Sequence, residues 1–184
     1  MSSCYRFTRA VFILAIAASA LLGLHPAYAA SVLDEDAAAA LKSLYSTSPG
    51  AKALGGKALG ILVFPSVTKA GFIVGGQGGD GALFEKGKIT AHYNTGAASV
   101  GLQAGVQTYG YALFFLTAAD LAHLKNSSGW SLGTGPTIVI ADAGAAADPS
   151  TLTARKGVYA FIFDQKGLMA GVGLVGQKIT KIKR

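Results

Sequence analysis

Ala82-Leu83-Phe84-Glu85-Lys86-Gly87-Lys88-Ile89-Thr90-Ala91-His92-Tyr93 places a short polar stretch containing glycine between two runs of apolar, aromatic and β-branched residues. This pattern predicts a β-hairpin closed through Glu85-Lys86-Gly87-Lys88. Strands joined so tightly run antiparallel, and the flanking sequence extends the same kind of sheet. Upstream, Ile61-Leu62-Val63-Phe64 stops at Pro65, and Gly71-Phe72-Ile73-Val74 runs into Gly75-Gly76-Gln77-Gly78-Gly79-Asp80-Gly81, which reads as a flexible turn using positive φ. Downstream, Ser99 to Gln107 and Tyr109 to Leu116 continue the strand pattern. Gly96, Gly101, Gly105 and Gly110 fall where a sheet must curve or where another backbone lies close.

Further strands are expected at Trp130 to Leu132 and Thr137 to Ala141, followed by an Ala-, Gly- and Ser-rich loop from Asp142 to Thr153. Val158 to Phe163 and Leu168 to Val175 flank Asp164-Gln165-Lys166-Gly167 and read as a closing hairpin. Both faces of Val158 to Phe163 and of Tyr109 to Leu116 are apolar, so these strands should be covered on each side. Helices to cover them precede and interrupt the strands. Ser31 and Asp34 form a capping box ahead of Leu33, Ala37, Leu41 and Leu44, predicting a helix over Val32 to Tyr45 with one apolar stripe. Ser48 before Pro49 caps a second helix that Gly55-Gly56 ends. Thr117 and Asp120 cap a third over Ala118 to Lys125. The expected class is α+β: a mostly antiparallel, strongly curved or barrel-like sheet with N-terminal helices and short covering helices.

The first residues read as an address. Arg6 and Arg9 precede the apolar run Ala10 to Leu24, followed by helix-breaking Pro26 and Ala27-Tyr28-Ala29. This predicts a signal peptide over 1–29, cleaved after Ala29, and one domain over 30–184. The run falls short of the roughly 20 residues a spanning helix needs. Cys4, the one cysteine, lies in the part removed, which excludes disulfides and thiolate metal sites from the mature chain. Losing Arg6 and Arg9 lowers the formal charge from +7 to +5, which favours an anionic partner. Nucleic acid is disfavoured, because neither a basic helix nor stacked strand aromatics occur. A phospholipid head group is the anion expected.

Catalytic motifs fail their context. Gly76, Gly78 and Gly81 match G-x-G-x-x-G, but strand residues Ala82-Leu83-Phe84 follow where a dinucleotide site needs a helix. The same segment resembles a single calcium-binding nonapeptide, a site built only by stacked copies. His92 and His123 have no partner at ligand spacing. Ser99 lacks the first glycine of a nucleophile elbow. Asp34-Glu35-Asp36 lies at a helix start, where the dipole accounts for negative charge, and Asp80, Glu85 and Asp164 fall in expected turns. No enzyme activity, cofactor or metal is expected.

Three separated stretches resemble one known family in the same order. Gly60-Ile61-Leu62-Val63-Phe64-Pro65 with Lys69-Ala70-Gly71-Phe72 and Gly75-Gly76-Gln77-Gly78 resembles the opening of the SYLF domain. Ala98 to Gln107 resembles its middle, and Lys166-Gly167-Leu168-Met169-Ala170-Gly171-Val172 its C-terminal hairpin. The resemblance implies a non-catalytic module that binds lipid membranes; eukaryotic relatives engage phosphoinositides, and yeast relatives also bind actin. Lipid binding transfers more readily than actin binding to a chain with a bacterial-type export signal. The head-group contacts it implies are Lys42, Lys52, Lys57 and Lys69 near the N-terminus, and Lys178, Lys181, Lys183 and Arg184 in a basic tail. The alternatives are an envelope structural or protein-interaction module and, with less support, a hydrolase.

Overall fold

Glycine and proline, expected to divide the first half of the sheet into short strands, leave its two organising strands unbroken. The computed structural model describes residues 26–132, 138–142, 157–167, 174 and 176–184. In it, β1 (Gly60–Glu85) and β2 (Lys88–Phe115) are single strands of 26 and 28 residues. They pair antiparallel from Gly60↔Phe115 to Glu85↔Lys88. The predicted turn closes them: Lys86 at φ 51° and Gly87 at φ 75° supply the two left-handed positions of a type I′ hairpin. Pro65 is tolerated because, among the described residues, β1 pairs only with β2, and the register shifts between Phe64 and Val67. A residue without an N–H costs least on an edge strand at a bulge.

The glycine-rich segment is therefore not the turn expected. Gly75 to Gly81 are strand residues opposite Ser99 to Tyr93, and none of them has positive φ. Their missing side chains serve closure instead. A Cβ on Gly79 would come within 2.5 Å of the Ser66 carbonyl oxygen, and one on Gly81 within 2.6 Å of the Val63 carbonyl oxygen and the Phe64 ring. The far half of β1 thus lies against its near half, and the sheet curls into a half-barrel.

The other edge of β2 is shared. β5 (Val158–Gly167) pairs antiparallel with residues Gln107 to Phe115, and β6 (Lys178–Ile182) with His92 to Gly96. β3 (Trp130–Ser131) extends the sheet beyond β6, and β4 (Ile138–Asp142) lies parallel to β5. Asp164 to Gly167 continue β5 rather than turning, opposite Thr108 and Gln107, with Asp164 at φ 52° and a bulge between Thr108 and Gly110. A Cβ on Gly110 would strike the Phe163 ring. The expected basic tail is strand β6. The loop expected after Asp142 and most of the partner strand expected after Gly167 lie outside the described residues.

Helix α1 (Pro26–Thr47) begins six residues before the predicted start. Proline does not break it, since at a first helical position its missing N–H has no intrahelical partner to lose. Ser31 is consequently interior, and Asp34 is freed from a capping role. Helix α2 (Pro49–Gly55) has the predicted cap: Ser48 Oγ accepts from the Ala51 N–H at 3.3 Å. Helix α3 (Ala118–Asn126) has Thr117 accepting from the Asp120 N–H at 3.1 Å.

Strand alternation divides the core in two. Inward residues Leu62, Phe64, Val67, Leu83, Tyr109, Tyr111, Leu113 and Phe115 fill the concave side with Trp130, Val158, Ala160 and Ile179, and α3 adds Leu121 and Leu124. Outward residues Ile61, Val63, Ala82, Ala112, Phe114, Phe161 and Phe163 meet Ala37 and Leu44 of α1 and Ala51 and Leu54 of α2. Phe114 and Phe161 pack edge to face at 5.2 Å between ring centres, a geometry contributing about 0.5–1.5 kcal/mol beyond area burial. The covering of both faces expected for β5 and the end of β2 is realised.

Candidate functional site

The basic residues predicted as contacts do not form one cluster. Lys42 projects from α1, Lys52 from α2, and Lys57 follows α2; all three are exposed. Lys69 is half-buried in β1 opposite Gln107. Lys178, Lys181 and Lys183 are exposed on or just beyond β6, where β2 holds the strand in place. Arg184 is committed differently: its guanidinium pairs with Asp80, which also accepts from Asn94 Nδ2 at 2.8 Å. Asp80, expected in a turn, is thus an anchor for the chain's end. Lys125 pairs with Glu85 at 3.0 Å. The Thr90 hydroxyl and then Lys125 hold the Glu85 carboxyl below the usual carboxylate range.

The amphipathic stripe expected on α1 is occupied by the protein itself. Leu33 and Leu44 are 8% and 1% exposed, and Leu41 packs against the same cluster. The exposed large aliphatics among the described residues are Val32, Leu59, Val74 and Val106. Two of these, Val74 and Val106, lie in the middle of the β1–β2 pair, away from the helix-covered core residues.

Two histidines gain partners that their sequence spacing did not announce. His92 Nε2 lies 2.7 Å from Asp34 Oδ1, tying β2 to α1. His123 meets the Trp130 ring edge to face at 6.1 Å.

A buried polar chain runs through the concave side. Tyr111 OH donates to Thr95 Oγ1 at 2.8 Å, Thr95 donates to Gln177 Oε1 at 2.8 Å, Gln177 Nε2 donates to Tyr109 OH at 2.9 Å, and Tyr109 OH donates to Gln77 Oε1 at 3.0 Å. The Thr95 and Tyr109 hydroxyls each accept once and donate once, and Tyr111 starts the relay as a donor. It joins β1, β2 and the residue before β6. Burial raises the Tyr111 hydroxyl well above its ordinary value, against the pull of Thr95. Burial likewise pushes Tyr109 up to about 12, and burial with the Glu85 charge pushes Tyr93 to about 12. Tyr93 OH and Gln107 Oε1 are buried without a partner. Nothing in sequence spacing reveals this relay, because its members are brought together by the curl of β1 and β2.

Among the described residues no three His, Cys, Asp or Glu side chains gather as metal ligands, and no helix is long and apolar enough to cross a membrane. Residues 96–184 match the family model described as Ysc84, Las17-binding protein actin regulator. The match contains the second and third of the three resembling stretches and begins after the first. That description gives the family Las17 binding and actin regulation. No curated protein matches the chain.

Proposed function

We propose that the protein, whose residues 96–184 match the Ysc84 family model and fit a SYLF-type domain, is an exported, non-catalytic module that attaches peripherally to anionic phospholipid membranes. The family match carries the reading. Exposed lysines on α1, α2 and β6 support it, because their charges are available to a surface. Each Lys or Arg near an anionic membrane contributes about 1 kcal/mol, and that contribution decays within about 8 Å at physiological salt. Attachment by charge is therefore salt-sensitive.

Flotation with phosphatidylcholine vesicles, with and without phosphatidylglycerol, tests the proposal. The mature protein should float with the anionic vesicles and lose binding as salt rises. Substituting Lys178, Lys181 and Lys183 together by Gln should weaken binding and flatten its salt dependence. Arg184 is left intact in that variant because it also holds Asp80. Equal flotation with neutral vesicles, or none with either, would overturn the proposal and favour an envelope protein-interaction module. Export is checked by terminal sequencing of protein from the cell envelope or medium: Ala30 is the expected first residue, and an intact Met1 with purely cytoplasmic recovery would refute it.

A further inference from the structure

The hairpin end of the sheet gathers lysines from the β1–β2 turn, β2, α3 and β6. Glu85 and Lys88 stand directly opposite each other where β1 meets β2, so their side chains share a face. That face is the concave one, because the Glu85 carboxylate pairs with Lys125 of α3 at 3.0 Å and α3 packs on that side through Leu121 and Leu124. Lys181 of β6 is opposite Tyr93, a concave core residue, and its charge helps to lower the Glu85 carboxyl. Lys86 occupies the turn itself. All four lysines are exposed. Glu85 is the acid they surround, and the remaining acids of β1, β2, α3 and β6 are committed elsewhere: Asp80 pairs with Arg184, and Asp120 accepts from the Thr117 hydroxyl at 2.6 Å at the other end of α3. A protein surface ordinarily intersperses charges of both signs, whereas here the fold concentrates one.

We propose that this hairpin end is the anion-binding surface of the protein, with Lys86, Lys88, Lys125 and Lys181 facing the phosphates of an anionic bilayer. The inference rests on the membrane reading above and names the part of the molecule that makes the contact. Lys86, Lys88 and Lys125 are no part of the contact set read from the sequence; the fold brings them to Lys181, which is. Charge complementarity selects an anion, since four lysines surround one carboxylate. The kind of cation selects a lipid surface over a protein. Protein interfaces are depleted in Lys and draw their affinity from buried aromatic and Arg anchors. The exposed large hydrophobics among the described residues, Val32, Leu59, Val74 and Val106, all belong to other parts of the chain. Lysine ammonium groups are point charges on flexible stems, which suits head groups whose positions are not fixed. Lysines spread over separate faces cannot share one membrane plane, because each field decays within about 8 Å at physiological salt; those at the hairpin end can.

A charge-matched pair of variants of the mature protein tests this with phosphatidylcholine–phosphatidylglycerol vesicles. Lys86→Gln with Lys88→Gln removes two charges, neither of which pairs with a carboxylate among the described residues, so the denaturant midpoint should not move. At about fivefold for each lysine near an anionic surface, this double variant should bind about thirtyfold more weakly. Lys166→Glu lowers the net charge by as much from exposed β5, opposite Thr108 toward the other end of β2. Screening should hold its effect on binding to less than about twofold. If the wild type floats and the Lys86/Lys88 variant matches it, or if Lys166→Glu weakens binding as much as that variant, the inference fails and membrane attachment stands. If the wild type floats with no vesicle, both readings fall together, and binding to polyglutamate that is lost in the Lys86/Lys88 variant would then make an acidic polypeptide the occupant.

Discussion

The two strands β1 and β2 are treated differently along their length. At their ends, the outer face is sealed by α1 and α2 through Ala37, Leu44, Ala51 and Leu54 against Ile61, Val63, Ala112 and Phe114. In the middle, the same face carries Ala70, Val74, Gly76 and Val106 to solvent. Backbone, pairing partner and alternation are shared by the two regions, so the difference lies in side-chain volume and in what stands opposite. Aromatic and large aliphatic residues crowd the face where a helix covers it, and in the middle the described residues are mostly glycine and alanine, with Val74 and Val106 exposed among them. Stability should therefore concentrate at the covered ends.

The largest effect expected from this contrast is on Phe161. It is fully buried against Phe114, so Phe161→Ala should cost about 3–5 kcal/mol. Val106→Ala at the exposed bend should change stability by less than about 0.5 kcal/mol. Denaturant unfolding of both variants measures the difference, and comparable losses would erase the distinction between the regions.

The concave side provides the next test. Thr95→Val keeps the shape of a side chain that is 0% exposed but takes away the acceptor of the buried Tyr111 hydroxyl and one donor to Gln177 Oε1. An orphaned buried group costs about 1–3 kcal/mol. Adding Tyr111→Phe should return part of the loss, because the orphaned hydroxyl then disappears. Additive losses in the double variant would argue against the relay.

Alkaline pH probes the same region without mutation. Tyr93 and Tyr109 titrate near 12 in the folded protein, and Tyr111 is also raised. An unfolded tyrosine titrates near 10. The folded state thus holds these protons more tightly. Their contribution to stability is complete below about pH 10 and is lost as pH rises through 12. Thermal unfolding followed across that window should show a steep fall in Tm, accompanied by late tyrosine ionisation in the ultraviolet spectrum. A fall centred well below pH 10 would assign alkaline sensitivity to other groups.

Much of this architecture was legible in local chemistry. The type I′ turn at Lys86-Gly87, the Ser48 and Thr117 caps and the double covering of Val158 to Phe163 are each decided by a few neighbouring residues. What escaped the sequence reading depends on distant segments. Gly75 to Gly81 were expected to turn because glycine permits it; the structure uses glycine for close approach to Ser66 and Val63. Asp164 to Gly167 have turn composition, yet pairing with Gln107 and Thr108 holds them extended. The candidate lysines were legible as residues but not as a surface, since folding distributes them over two helices and two strands. The apolar stripe of α1 was legible too, though its burial by the protein's own sheet could be decided only by seeing what packs against it.

Glycine itself supplies the smallest and most discriminating comparison. Gly81 and Gly76 belong to one strand and one sequence motif, and both have ordinary strand φ. A Cβ on Gly81 would meet the Val63 carbonyl at 2.6 Å, a backbone atom that cannot rotate aside. Gly81→Ala should therefore force the curl of β1 open, at a cost in the range of about 1–3 kcal/mol typical of overpacking. A Cβ on Gly76 would find nothing closer than the Ala97 carbonyl at 3.7 Å, an ordinary contact. There alanine restricts the unfolded chain without straining the folded one, and Gly76→Ala should stabilise by about 0.4–1 kcal/mol. The opposite signs follow from one physical difference: at Gly81 another stretch of backbone occupies the space a side chain would need, and at Gly76 none does. Denaturant midpoints moving in opposite directions would locate the closure of the half-barrel at Gly81. A loss of similar size at both positions would instead mean that the whole glycine run is required, and that the bend is as tightly specified as the covered ends.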